Sequence, residues 1–346
     1  MVDTIKFLIP FEDIRLIKEL ENNLTRFRKE NLKTKSIEFE FHKANIELGS
    51  YERNVSIFSS NNPEGFFIEF SLPKYYKGNN VEMIYPHEIP AILEKLYPEL
   101  CKFLNHDLPH FSTWQIYRLD ICYNWLFKDE SEATRVIDFL KRIDFARKQK
   151  FTWGTSLMYK GSSYIVKFYA KGAEFLKHDF KELPIERSAF LYEQAKRIVR
   201  FEVGIKRQQL KELFLNDKIY LKDIIDDSVM TQNLKYYLDK VFFYINPKQM
   251  KNSEITEILL KNFTKSKATR LFQFYKSYHL DDEAKDMIMN GGMNRTTIWK
   301  YKKDLKKAGV GFSVENESGE SFLDQLVIPS PSVQFDFPNY KANIPI

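Results

Sequence analysis

A chain of 346 residues with 43% hydrophobic content can bury a full core, and ~100–200 residues per domain suggests two or three units. The formal net charge of +6 is modest, no stretch approaches the roughly 18 uninterrupted apolar residues of a membrane span, and Met1-Val2-Asp3-Thr4-Ile5-Lys6 lacks a basic segment leading an apolar run, so a cytoplasmic protein is expected. Cys101 and Cys122, the only cysteines, read as reduced structural thiols rather than a disulfide or zinc site.

Strand-like and helix-like segments alternate over the first 210 or so residues. Asp3 to Pro10 reads as a strand and Phe11 to Asn31 as a helix; Ser36 to Leu48 and Gly65 to Leu72 are strands, and His87 to Leu104 is an amphipathic helix introduced by Pro86. The order recurs: strand Trp114 to Phe127, helix Glu130 to Ile143, hairpin strands Thr155 to Tyr159 and Tyr164 to Gly172, helix Glu186 to Arg197 and strand Ile198 to Lys206. Duplicated strand-helix-strand units predict an α+β fold with one antiparallel sheet and helices on its apolar face, over residues 1–213.

From about Phe214 the periodicity is helical, through Leu221 to Tyr244, Asn252 to Phe263, Lys267 to Tyr278, Asp281 to Met289 and a last helix from Asn294 to Leu305 with Asn294 as N-cap. This predicts a helical unit over 214–328. Its final two helices, joined at Gly291-Gly292, have helix-turn-helix spacing near 281–309; Arg295, Lys300 and Lys303 would then face a DNA groove, although plain helical packing fits the same spacing. The proline-rich tail, 329–346, reads as an arm with one short strand, Val333 to Phe337.

Three segments carry charged or phenolic residues on one strand face and apolar residues on the other. They are Arg118 and Asp120 against Leu119 and Ile121; Lys167, Tyr169 and Lys171 against Val166, Phe168 and Ala170; and Arg200, Glu202 and Lys206 against Val199, Phe201, Val203 and Ile205. On neighbouring strands they would gather two carboxylates, a tyrosine and several cations on one surface. Phosphodiester transfer to a protein hydroxyl needs such a set: a nucleophile, plus a divalent ion or Lys/Arg to stabilise charge on the phosphate oxygens. Asp120 and Glu202 are hard oxygen ligands suited to Mg²⁺ or Mn²⁺, with Glu69 the third candidate, while cross-strand pairing with Arg118 and Arg200 is the plainer account of both acids. Arg118, Lys167, Arg200 and Lys206 are the candidate DNA contacts on the sheet. The stretch Lys141–Lys177 holds nine Lys/Arg against Asp144 and Glu174, a balance suited to phosphate backbones or to a solvated basic face. Tyr159, Tyr164, Tyr123, Tyr236 and Tyr237 compete with Tyr169 for the nucleophile role, and Tyr117, Trp125, Trp153 and Trp299 read as core or sheet-packing residues.

At Ile116-Tyr117-Arg118-Leu119-Asp120, at Phe168-Tyr169-Ala170-Lys171 with Glu174, and at Ile198 through Lys206, the chain resembles the gene II/X type of filamentous-phage rolling-circle replication initiator. Weaker echoes lie in Phe7-Leu8-Ile9-Pro10-Phe11, the Asn294 to Leu305 helix and Val333 to Phe337. The resemblance implies that Tyr169 is the nicking tyrosine, with Lys171 two residues on, and that Asp120 and Glu202 fall on acidic motif positions. It implies single-strand cleavage at a replication origin, a covalent 5′-phosphotyrosine, a free 3′-hydroxyl and later rejoining, with double- and single-stranded origin DNA and a host helicase and polymerase as partners. A His-apolar-His metal pair is absent; His106 and His110 flank what reads as a loop. No Gly-x-x-x-x-Gly-Lys-Ser/Thr signature occurs, so unwinding would fall to a partner. A non-catalytic phage or plasmid DNA-binding regulator, and a related tyrosine transposase or relaxase, are the alternatives.

Overall fold

The computed structural model describes residues 1–31, 34–46, 55–59, 65–145, 147–243, 250–279, 282–311 and 322–329. The expected strand Val333 to Phe337 lies outside them. Ten strands form one sheet: β1 (Val2–Pro10), β2 (Thr25–Glu30), β3 (Ile37–Ile46), β4 (Val55–Ser59), β5 (Gly65–Ser71), β6 (Gln115–Leu126), β7 (Gln149–Trp153), β8 (Ser156–Lys160), β9 (Tyr164–Ala170) and β10 (Ile198–Lys206). Their spatial order, β2-β3-β4-β5-β1-β6-β10-β9-β8-β7, makes the duplication explicit. In each half a first strand (β1 or β6) runs into a helix, α1 (Ile14–Glu21) or α4 (Glu130–Lys141), and four strands then return from the sheet edge to pair beside it. The halves join where β1 meets β6, and every pairing is antiparallel.

The apolar strand faces pack with α1, α3 (Ile89–Leu104), α4, α7 (Arg207–Phe214) and α8 (Asp227–Val241) into one core that includes Phe7, Leu96, Val136, Phe201, Leu210 and Leu234. Burying such side chains contributes roughly 1.5–3 kcal/mol each. This core crosses the expected boundary near residue 213, because α8 packs into it. So does the segment 322–329: Phe322, Leu326 and Ile328 are buried there, and Trp125 donates its indole N–H to the Val327 carbonyl at 2.8 Å. A second core, with Ile255, Leu259, Leu271, Ile298 and Leu305, is built by α9 (Asn252–Asn262), α10 (Lys265–His279) and α12 (Arg295–Lys307); α11 (Asp282–Met287) and a π turn at Ile288–Gly292 precede α12.

One end of the opposite sheet face is also covered. Helices α5 (Lys171–His178) and α6 (Ile185–Ala195) and the buried Val81, which follows α2 (Leu72–Lys77), enclose Ile198 in a small apolar cluster. The expected helix over Phe11 to Asn31 is corrected: it ends at Glu21, and Thr25–Glu30 is an exposed strand paired with β3. Its Arg-Phe-Arg-Lys run has no buried face to betray a period of two.

Candidate active site

Register assembles the site. Trp153, Ser156, Tyr169, Arg200 and Asn124 stand side by side across β7, β8, β9, β10 and β6, and Phe151, Met158, Lys167, Glu202 and Cys122 form the next rung. Residues directly opposite share a face, so these rungs look onto one surface. Asp120 lies one step further along that face of β6, opposite Gly204 on β10 and Thr4 on β1. A Cβ at Gly204 would come 3.1 Å from Asp120 Oδ1; glycine there leaves the carboxylate its room.

Tyr169, Glu202, Lys167, Asp120 and Arg118 line one open cavity of about 440 Å³. The Tyr169 hydroxyl donates to Glu202 Oε2 at 3.0 Å, and Lys167 Nζ donates to Glu202 Oε1 at 2.6 Å. Arg118 grips Asp120 with two parallel bonds of 2.8 and 2.6 Å and reaches Glu69 Oε1 at 2.7 Å with its third nitrogen. The Asp120–Arg118 pair is thus formed, whereas Glu202 takes Lys167 rather than Arg200. Burial pushes Asp120 up to about 7 against the pull of Arg118. For Glu202 the balance reverses: burial would raise it, but Lys167, with charge and hydrogen bond, and Arg200 hold it below the carboxylate range. Burial, reinforced by the negative Glu202, raises Tyr169 well above an ordinary phenol, so the resting hydroxyl keeps its proton.

Two expectations are corrected. Strand β9 ends at Ala170, and Lys171 opens α5 instead of continuing the row. It is fully buried, with its ammonium donating to Asn80 and Glu174 and lying 5.9 Å from the Tyr169 ring centroid. Arg200 is also fully buried, bonded to Asn124 Oδ1 at 2.7 Å and the Val81 carbonyl at 3.1 Å, and so presents no surface to DNA. The segment around Asn80 and Val81 reaches both from far away in sequence, which strand parity does not encode. Lys206 is exposed and donates to the Ser162 carbonyl at 2.9 Å. On α12, Arg295, Lys300 and Lys303 are exposed while Ile298, Lys302 and Leu305 face inward.

Asp3 is a site residue that strand parity misses. Alternation assigns it to the core face, but the register of β1 against β6 shifts between Val2 and Thr4, and Asp3 and Thr4 both line the cavity. Such bulges re-aim side chains. Among the competing tyrosines, Tyr159, Tyr164 and Tyr237 are buried in the core, Tyr123 packs against Trp125, and Tyr236 is exposed on α8; Tyr169 is the one that lines the cavity. Trp153, expected to pack, is 54% exposed at the cavity rim.

The carboxylates have the hard-oxygen chemistry of Mg²⁺ or Mn²⁺ ligands, but they do not fit an ion as arranged. Both oxygens of Asp120 and both of Glu202 accept from Arg118, Lys167 or Tyr169, and among the described residues no three acidic, imidazole or thiol groups converge on a common point.

A duplicated antiparallel sheet thus carries one cavity lined by Tyr169, four acids (Asp3, Asp120, Glu174 and Glu202) and two cations (Arg118 and Lys167). The chain belongs to the phage family described as the N-terminal part of the replication-associated gene II protein, whose model matches residues 1–221. That family bears out the resemblance read from the three motifs. Among solved structures, the rolling-circle replication initiator protein from Geobacillus stearothermophilus is similar at 13% identity with a TM-score of 0.31, covering 68% of this chain and 83% of that one. No curated protein sequence matches the chain. No helix among the described residues is long and apolar enough to cross a membrane.

Proposed function

We propose that this replication protein is a rolling-circle initiator that nicks one strand of origin DNA through Tyr169 and later rejoins it. The contact that carries the reading is the 3.0 Å hydrogen bond from the Tyr169 hydroxyl to Glu202 inside a cavity shared with Asp120, Lys167 and Arg118. The phenolic oxygen attacks phosphorus in line, the bond to the 3′ oxygen breaks, and a 5′-phosphotyrosine is left. The phenolic proton passes to Glu202, and the departing 3′ oxygen takes a proton from solvent to become the hydroxyl that a host polymerase extends. Lys167 links binding to activation. At rest it holds Glu202 acidic; a phosphate that draws its ammonium away makes Glu202 a better base at the moment a base is needed. The sheet with the helices packed on its core, α8 included, serves as the nicking domain, and the helical unit of α9, α10 and α12 grips the duplex through Arg295, Lys300 and Lys303, with a host helicase opening the strands.

The test is to trap the adduct: supercoiled origin DNA is incubated with the protein, and the covalent peptide is mapped by mass spectrometry. A phosphotyrosine at Tyr169 is expected. An adduct on another tyrosine, or nicking without any adduct, ends the proposal.

An Mg²⁺ or Mn²⁺ cofactor on Asp120, Glu202 and Glu69 is proposed separately and requires Arg118 to give up its bonds to Asp120 and Glu69, and Lys167 or Tyr169 its bond to Glu202. Arg118→Gln frees Asp120 and the Glu69 oxygen together, so Mn²⁺ affinity measured by calorimetry should rise; unchanged affinity would remove these carboxylates from that role.

A further inference from the structure

Strand β7 is one edge of the sheet, and its two aromatic residues on the cavity side, Phe151 and Trp153, have their rings parallel to 4° with centroids 5.8 Å apart. Trp153 is 54% exposed, although its size would favour burial if packing were its role. The register aligns the pair with the chemistry: Trp153 lies on the rung of Tyr169 and Phe151 on the rung of Lys167, each two strands away, about 10 Å by strand spacing, with Glu202 one strand further along the second rung. Trp153 lines the same cavity as Tyr169, Lys167 and Arg118. Exposed Lys160 follows Ser156 and Met158 on this face of β8, one rung beyond Phe151. Exposed flat rings are how proteins hold single-stranded nucleic acid without reading its sequence, because every base offers a π-face.

We propose that Phe151 and Trp153 form a stacking platform for bases of single-stranded DNA next to the phosphodiester that Tyr169 attacks. This rests on the nicking function proposed above and extends it to substrate form: the site takes an unpaired strand, whose bases are free to lie on the rings.

The test measures binding of fluorescent oligothymidylate to the full chain carrying Tyr169→Phe, so that no cleavage intervenes. Adding Trp153→Ala should weaken binding about tenfold or more, Phe151→Ala should weaken it less, and Trp153→Phe should restore most of it. An abasic oligonucleotide should bind equally well with and without the Trp153→Ala change. Trp153 lies at an exposed hairpin, so these variants fold, and thermal melts verify it. Unchanged affinity for oligothymidylate on Trp153→Ala overturns the platform. So does unchanged affinity together with an altered oligomeric state, which would assign the rings to contact between copies. If the wild-type chain cuts no supercoiled DNA and Trp153→Ala still loses the strand, the platform stands and the cleavage reading alone falls.

Discussion

Tyr169→Phe should reduce nicking of supercoiled origin DNA by a factor on the order of 10⁴ or more and eliminate the covalent adduct, while DNA binding survives. The change removes one oxygen from a side chain whose ring and strand are held by β8 and β10, and the lost hydrogen bond to the Glu202 carboxylate costs about 1.5–3 kcal/mol of stability. The alternative nucleophiles are poorly placed: Tyr159 donates its hydroxyl to the Ile143 carbonyl at 2.6 Å, and Tyr164 packs on Tyr237 at 4.8 Å. Gel assays of relaxed against supercoiled DNA, run beside a binding titration, check the outcome. Unaltered nicking would exclude Tyr169. A wild-type chain that binds and never nicks would favour a DNA-binding regulator, and accumulation of inserted copies rather than circular single strands would favour a transposase.

Asp144→Asn should destabilise the attachment of the helical unit by about 2–4 kcal/mol. Asp144 sits before β7 and receives the Tyr278 hydroxyl at 2.5 Å, while Lys302 donates to that same hydroxyl at 2.6 Å; Lys150 and Lys285 lie 3.4 and 3.5 Å from the carboxylate. Burial would raise its pKa, yet Lys302, Lys285, Lys150 and the Tyr278 hydroxyl hold it down to about 2. Removing the charge leaves Lys302, 6% exposed, without the anion that offsets its burial. A group whose folded value lies below its ordinary 3.8 contributes stability above that pH and loses it as pH falls towards 2. The stability gap between wild type and variant should therefore close across that window. Denaturant unfolding followed with limited proteolysis of residues 250–311 measures it; a gap below about 0.5 kcal/mol, or one that does not close in acid, would refute the assignment. Adding Lys302→Met to Asp144→Asn should recover part of the loss, because it removes the uncompensated ammonium.

Much of this arrangement is written in strand parity. β10 runs from Ile198 to Lys206 as its alternation indicates, and Tyr169, Asp120 and Glu202 share a surface because each sits on the polar parity of a strand in the same half of the sheet. What parity does not carry is the third layer. Arg200 and Lys171 obey the pattern or border it, yet the segment around Asn80 closes over them from a distant part of the chain. Asp3 fails for the opposite reason: one bulge in β1 reverses its side, and no local residue announces the shift. Trp153 reads as packing material because β7, short and mostly exposed, leaves no clear alternation, and without that strand there is no edge on which to place the ring.

The meeting of β1 with β6 has a consequence for how such a chain evolves. Asp3 comes from the first repeat and Asp120, Lys167, Tyr169 and Glu202 from the second, so the basin straddles the seam. Neither repeat owns a complete basin. A protein cut in the connection between the repeats would keep each meander's residues and still lose the workplace.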